Sequence, residues 1–348
     1  RAIENGAWIA VANKVGVEAD SIVYCGRSCI VAPDGQLAAQ AGPDRQEIIL
    51  ASIDLEAATG PPLERRPTHY AVLTRPTAEL PVARLLAERV IPGETVVRVG
   101  LLQLRPYASA EAYLERAATL AEQLVRQGAQ LLILPGVPSG QTGAAAYQTQ
   151  NSLPGLLELS ARLKCGFVAP LVSQGQTGLA HSAYLIAEGE LLGEYRQTHL
   201  TADQTGRFEA GQSTPVFETP YGRLGLMLNE EGLVPELARV LMLQGAELIL
   251  WPAADSGYPL RSVARCRADE NKTFVALATP LVPPASPHTA LFGPSGQPLA
   301  AALPDIEQAI AGQVAYAITR LKEMAPNTDV VRNRQPATYG QLVRQTHS

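Results

Sequence analysis

Nucleophilic catalysis needs a nucleophile, a group to move the proton and a donor where negative charge develops. Cysteine, glutamate, lysine and histidine are therefore the residues to place first. The chain has four cysteines, Cys25, Cys29, Cys165 and Cys266, and its lysines are Lys14, Lys164, Lys272 and Lys322. Cys25 and Cys29 are spaced to share one face of a strand, which reads as a pair of core thiols rather than a redox or metal site. Cys165 closes a helical run and Cys266 lies inside another. No Cys/His group has zinc-ligand spacing, so no metal or cofactor is expected. Glu230 and Glu231 adjoin ahead of Pro235. They read either as an acid/base pair or as carboxylates stabilised by the N-terminal dipole of the helix that follows. His199 reads as a structural histidine, and Trp251-Pro252 either lines the mouth of a pocket or packs at a strand end.

The elements that must position these groups alternate. Val97 to Leu104 is a strand candidate. Ser109 then caps a helix with Leu114, Ala117, Leu120, Ala121 and Leu124 on one face, ending at Gly128. Ala129 to Leu134 reads as a buried strand stopped by Pro135. The order recurs: helix Leu156 to Lys164, then strands from Gly166 to Leu171, Ser182 to Ile186 and Leu191 to His199. Next come a strand from Leu224 to Leu228, a helix from Pro235 to Gln244 and a strand from Glu247 to Trp251. Short apolar strands alternating with helices predict sheets covered by helices, two of each layer.

At 348 residues and 46% hydrophobic composition the chain can fill a large core. Its formal charge of -5 and the lack of a basic run argue against nucleic acid as a partner. No apolar stretch approaches the roughly 20 residues that span a bilayer, so no membrane segment is expected. Few, scattered cysteines fit a reducing cytoplasm. The chain opens on Arg1, inside what reads as a structured element, and an upstream portion is expected.

The sequence also repeats itself. Arg1-Ala2-Ile3-Glu4-Asn5 leads to Trp8-Ile9-Ala10-Val11-Ala12, as Arg267-Ala268-Asp269-Glu270-Asn271 leads to Phe274-Val275-Ala276-Leu277-Ala278. Pro33-Asp34-Gly35-Gln36 matches Pro294-Ser295-Gly296-Gln297, and Arg65-Arg66-Pro67-Thr68-His69-Tyr70 matches Arg334-Gln335-Pro336-Ala337-Thr338-Tyr339. Three matches in one order, so far apart, read as a duplicated domain rather than a solenoid. The expected organisation is the end of a first module over residues 1–75, a linker over 76–96 and a complete second module over 97–348.

At this point the residues resemble the nitrilase, or carbon-nitrogen hydrolase, superfamily. The resemblance is carried by Leu131-Leu132-Ile133-Leu134-Pro135, by Gly193-Glu194-Tyr195-Arg196-Gln197-Thr198-His199-Leu200, by Gly222-Arg223-Leu224-Gly225-Leu226-Met227-Leu228 with Pro235-Glu236-Leu237-Ala238-Arg239, and by Gly245-Ala246-Glu247-Leu248-Ile249-Leu250. It implies a four-layer αββα sandwich, paired so that the sheets of two subunits extend one another. It also implies hydrolysis of amides or nitriles by a cysteine thiolate, a glutamate base and a lysine that stabilises the oxyanion.

This sequence departs from the family at all three positions. Gly136 stands where the glutamate is implied, Gln197 where the lysine is, and Asn229 where the cysteine is; Gln204 matches a further family glutamate. None of the cysteines or lysines falls in a matching motif. Because every charged position became neutral together, Gln197, Asn229 and Gln204 are expected to satisfy one another by hydrogen bonds, avoiding the cost of a lone buried charge.

Three functions stay open. The module is noncatalytic and structural or regulatory, pairing within the chain or as a homo-oligomer; or it accompanies an amidase-type or nitrilase-type site in a missing first half of module one; or it binds a small amide or carboxylate ligand in a vestigial pocket of Gln197, Asn229, Glu230 and Trp251.

Overall fold

The computed structural model describes residues 1–88, 96–107, 109–136, 150–254, 257–282 and 288–344. They divide into two compact units, Arg1–Glu64 and Arg65–Ser348.

The smaller unit opens with helix α1 (Ala2–Asn5), followed by β1 (Ile9–Val11), β2 (Val15–Glu18), β3 (Ile22–Cys25), β4 (Cys29–Val31) and β5 (Leu37–Gln40). β2 and β3 form a hairpin, and β1-β4-β5 form a three-stranded antiparallel sheet. Cys25 and Cys29 do not share a strand face as expected. Gly26 and Arg27, both at positive φ, turn the chain between them, so one thiol ends β3 and the other starts β4. Nor are they core thiols, since Cys25 is exposed and Cys29 half-buried.

The larger unit contains α2 (Pro81–Ala87), β6 (Val96–Gln103), α3 (Ala110–Arg126), β7 (Leu131–Ile133), α4 (Leu153–Leu163), β8 (Gly166–Gln174), β9 (Leu179–Ala187) and β10 (Glu190–Arg196). It continues through β11 (Val216–Thr219), β12 (Gly222–Leu226), α5 (Pro235–Leu243), β13 (Leu248–Pro252), α6 (Leu260–Asn271), β14 (Phe274–Ala278), β15 (Ala290–Phe292), β16 (Pro298–Ala301) and β17 (Gln308–Ala315). Two six-stranded sheets result, in the orders β10-β9-β8-β7-β6-β17 and β11-β12-β13-β14-β15-β16.

Why these segments form layers is visible in β7. Leu131 and Ile133 point into the apolar seam between the sheets, where they meet Leu224, Leu226, Leu248 and Leu250 of the second sheet. Leu132 points the other way, into a second core with Leu120 and Leu124 of α3 and Leu156 of α4. A strand covered on both faces must be apolar throughout, and the run Leu-Leu-Ile-Leu meets that requirement. On the far side α5 packs on β12, and α6 on β14 and β15. The expected αββα sandwich is the observed one. Ser109 caps α3, its Oγ accepting from the Ala112 amide at 3.2 Å, although Tyr113 rather than Leu114 fills the buried face.

The division between units falls ahead of the expected boundary at residue 75. Tyr70, Val72 and Leu73 are buried in the larger unit, and so are Leu80, Val82 and Leu85 across α2, within the stretch expected as a linker. Residues 89–95 of that stretch lie outside the described residues. No helix among the described residues is long and apolar enough to cross a membrane.

Candidate active site

The positions marked by the sequence sit where strands end. β7 runs out at Ile133 and the chain reaches Gly136; β10 ends at Arg196, directly before Gln197; β12 ends at Leu226, and Asn229 opens a 3-10 turn, Asn229–Leu233. Asn229 holds a left-handed φ of 49°, a conformation that asparagine tolerates better than most side chains.

These segments converge. Asn229 Nδ2 donates to Gln197 Oε1 at 2.7 Å, and Asn229 Oδ1 accepts from the Ala254 amide at 3.2 Å. Gln197 Nε2 donates to the His199 carbonyl at 2.8 Å and to Gln204 Oε1 at 3.0 Å. Gln204 Oε1 also accepts from the Thr201 amide, while its Nε2 donates to Glu230 Oε2 at 3.2 Å. Three neutral amides thus form one chain in which each polar group is used, as burial demands. Gln197, Gln204, Asn229 and Glu230 are all buried.

Gly136 abuts the Ala253–Ala254 backbone, whose Ala254 amide holds Asn229. A Cβ built on it would overlap the Ala253 carbonyl and the Ala254 amide nitrogen, so no larger residue fits without a backbone shift. Trp251, fully buried, donates from Nε1 to the Asn229 carbonyl at 2.7 Å. Gly232 lies so close to its ring that a Cβ there would also collide. Trp251 therefore packs at a strand end and fastens the turn that carries Asn229.

Glu230 and Glu231 have separate environments. Burial pushes the Glu230 carboxyl above its usual range, only partly offset by its hydrogen bonds. Glu231 accepts from the amides of Leu228 (2.8 Å), Thr198 (2.7 Å) and His199 (3.0 Å), from Thr198 Oγ1 (2.7 Å) and from the Tyr195 hydroxyl (2.8 Å). Burial alone would raise its pKa, but bonds from His199, Thr198 and the Leu228 amide prevail and hold it below the ordinary value. The dipole of α5 is not what holds this carboxylate: its donors come from the strand ends. His199 is fully buried with both ring nitrogens engaged, Nδ1 with Thr198 Oγ1 at 2.8 Å and Nε2 with the Tyr70 hydroxyl at 2.6 Å. It is a structural histidine.

Sequence reasoning missed Tyr70, Tyr195 and Thr198. Tyr195 and Thr198 stood in a recognised motif and Tyr70 in a repeated one, but spacing alone carried no sign that the first two bond the Glu231 carboxylate or that Tyr70 bonds His199 beside it. The cysteines lie elsewhere. Cys165 precedes β8 at the end of the sheet opposite Gly136, where burial pushes its thiol up to about 12, and Cys266 is exposed on α6. Among the described residues no three His, Cys, Asp or Glu side chains gather to hold a metal.

The family model described as carbon-nitrogen hydrolase matches residues 1–60 and 98–322. The chain is 25% identical over 257 residues to the human omega-amidase NIT2, covering 66% of this chain and 91% of the human one. It is likewise 25% identical over 284 residues to the chloroplastic omega-amidase of Arabidopsis thaliana, covering 72% and 76% of the two. The crystal structure of a carbon-nitrogen hydrolase from Helicobacter pylori G27 superposes with a TM-score of 0.62 at 20% identity, over 72% of this chain and 99% of that one. At that identity the likeness concerns the fold.

Proposed function

The chain belongs to the carbon-nitrogen hydrolase family, and we propose that residues 97–348 are a noncatalytic member of it, kept as a structural or regulatory module. The observation that carries this reading is the neutral amide chain Asn229–Gln197–Gln204, together with the lack of room for a side chain at Gly136. Hydrolysis of an amide by this family's chemistry requires an ionisable nucleophile, a base and a cation or strong donor for the oxyanion. An asparagine amide engaged at both ends attacks nothing, a glycine moves no proton, and Gln197 spends both amide hydrogens within the protein. The complete burial of Gln197 and Trp251 favours a structural role over a vestigial ligand pocket.

The same register of strands in β1-β4-β5 and β14-β15-β16 supports reading the chain as the end of one module followed by a second. Ile9, Ala10 and Val11 pair with Val31, Ile30 and Cys29, as their counterparts Val275, Ala276 and Leu277 pair with Phe292, Leu291 and Ala290. The register shift in the next ladder falls at equivalent places, Ile30/Val31 and Leu291/Phe292.

The test is a screen of this chain against aliphatic amides, nitriles and ω-amides of dicarboxylic acids, the last suggested by the omega-amidase relatives, with intact-mass detection of a thioester. No turnover and no adduct are expected. Turnover, or an acyl adduct on any cysteine, overturns the reading.

A further inference from the structure

The chain that leaves β17 folds a small basin of its own. A 3-10 turn, Tyr316–Arg320, leads into β18 (Glu323–Ala325), and Pro326 with Asn327, at a left-handed φ of 65°, turns the chain back as β19 (Thr328–Asp329). This hairpin and the turn after it line a cavity of about 440 Å3, to which Arg320, Lys322 and Arg332 bring cations and Glu323 and Asp329 bring carboxylates.

Both carboxylates are engaged by backbone amides. Asp329 Oδ1 accepts from the amides of Val331 and Arg332 at 2.7 Å each, and Glu323 Oε1 from the amide of Asn327 at 3.1 Å. The cations are not matched in the same way. The Arg332 side chain is 82% exposed, and its Nε comes no nearer than 4.0 Å to Asp329 Oδ2. Arg320 directs Nη2 to Glu247 at 3.1 Å and Nη1 to the Leu85 carbonyl, which leaves a buried Nε with no partner among the described residues. Lys322 is only 2% exposed. Its Nζ donates to the carbonyls of Asn271 (3.1 Å) and Lys272 (2.7 Å) at the end of α6, and among the described residues no carboxylate lies within ion-pair distance of it.

A buried ammonium without a counter-ion is costly, and an anion brought beside it lowers that cost. Burial and the charge of Arg239 on α5 pull the Lys322 ammonium down to about 7; Arg320 adds to them, and Glu247 and Asp329 oppose. The other charges at this end of α6, Asp269 and Lys272, pair with each other at 2.6 Å. We propose that this cavity is an oxyanion site, which takes a phosphate group, free or at the end of a small monoester, against Arg332 and in the field of Lys322 and Arg320. The cavity has the size of a small-molecule site, and a tetrahedral dianion supplies the charge that the three cations lack, with a geometry that the guanidinium fork matches. Since the chain as a whole carries a formal charge of -5, a local excess of cations is not its general character. The site does not depend on whether residues 97–348 are catalytic.

The experiment is calorimetric titration of the chain with inorganic phosphate, sulfate and phenyl phosphate at pH 8, at an ionic strength held constant with chloride, in two buffers of different ionisation enthalpy. One site per chain is expected, with a dissociation constant of about 1 mM or below. Sulfate does not titrate at this pH, so the proton taken up as it binds belongs to the protein and reports Lys322 regaining its charge. Arg332→Ala should weaken binding about tenfold and leave the urea midpoint in phosphate-free buffer unchanged, while Lys322→Met should abolish the proton uptake. Arg126→Ala, which removes an equally loose exposed cation from α3, should change nothing. Phenyl phosphate binding more tightly than phosphate identifies a monoester as the ligand, and binding more weakly identifies the free anion; the site stands either way. No saturable binding, binding that Arg332→Ala leaves intact, or sulfate binding without proton uptake overturns the proposal.

Discussion

Two runs of three strands in this molecule, β14-β15-β16 within a six-stranded sheet and β1-β4-β5 as a sheet of its own, share strand order, register and even the position of a register shift, yet the first is buried and the second partly exposed. In β14-β15-β16 the central residue Leu291 is fully buried; in β1-β4-β5 its counterpart Ile30 is half-buried. Both sheets are coded by closely similar passages, so local propensity does not separate them. The difference lies in what packs on them: β13, α6 and the facing sheet for one, and within its own unit no equivalent of the first and last for the other. Propensity sets which residues pair, and tertiary cover sets how much the pairing is worth.

The sharpest way to break this comparison is to put the same charge at both centres. Leu291→Asp should cost more than about 4 kcal/mol, because an unpaired carboxylate enters the sealed seam, whereas Ile30→Asp should cost about 1 kcal/mol. Urea unfolding followed by circular dichroism decides it, and equal costs would mean that the smaller sheet is covered after all. Next in size is Gln197→Lys, which returns the family's residue type to a site now built from neutral amides. With Gly136 offering no carboxylate, the buried ammonium should destabilise the larger unit by about 3–5 kcal/mol and bring no hydrolysis, read by the same unfolding curve and by the activity screen.

Acid separates carboxylates by their surroundings. Glu231 is held below the ordinary value of 4.5, so on acidification the unfolded chain takes up its proton first. Its stabilisation is complete above about pH 4.5 and is lost as the pH falls through the lower folded value. Glu231→Gln should cost about 2–3 kcal/mol at pH 7 and flatten the acid limb of the stability profile. Glu18 in the smaller unit is also lowered, by Lys14 and Tyr24, but it is exposed, and Glu18→Gln should leave that limb unchanged in moderate salt.

The smallest contrast is between the repeated tails. Tyr70 is buried with its hydroxyl on His199, while its counterpart Tyr339 is half-buried. Tyr70→Phe should lower stability by about 1 kcal/mol and Tyr339→Phe by less than about 0.5 kcal/mol, measured as a shift in urea midpoint.

Much of the fold was legible in the sequence because period and punctuation are local. Pro235 opens α5 at its first position, Gly245 follows its end, and Leu131-Leu132-Ile133-Leu134 announces a strand covered on both sides. The positions Gly136, Gln197 and Asn229 were likewise legible, since each follows an apolar strand motif in a recognisable order. Cys25 and Cys29 were misplaced because strand spacing takes no account of Gly26 and Arg27, whose positive φ values put a turn between them. The tail containing Tyr70 was assigned to the first module because the repeat says where a segment comes from and not where it packs.

By itself, then, the sequence determined the layers, the strand order of motifs and the chemical types present at the site: an amide, an amide and a glycine where ionisable groups would be needed. Only the tertiary structure decided that the amides bond to one another, that the backbone of Ala253 and Ala254 fills the space beside Gly136, and that Glu231 is held charged by donors from two strand ends. Those facts depend on distances between segments far apart in the chain, and on which surfaces exclude water. A single linear pattern carries neither.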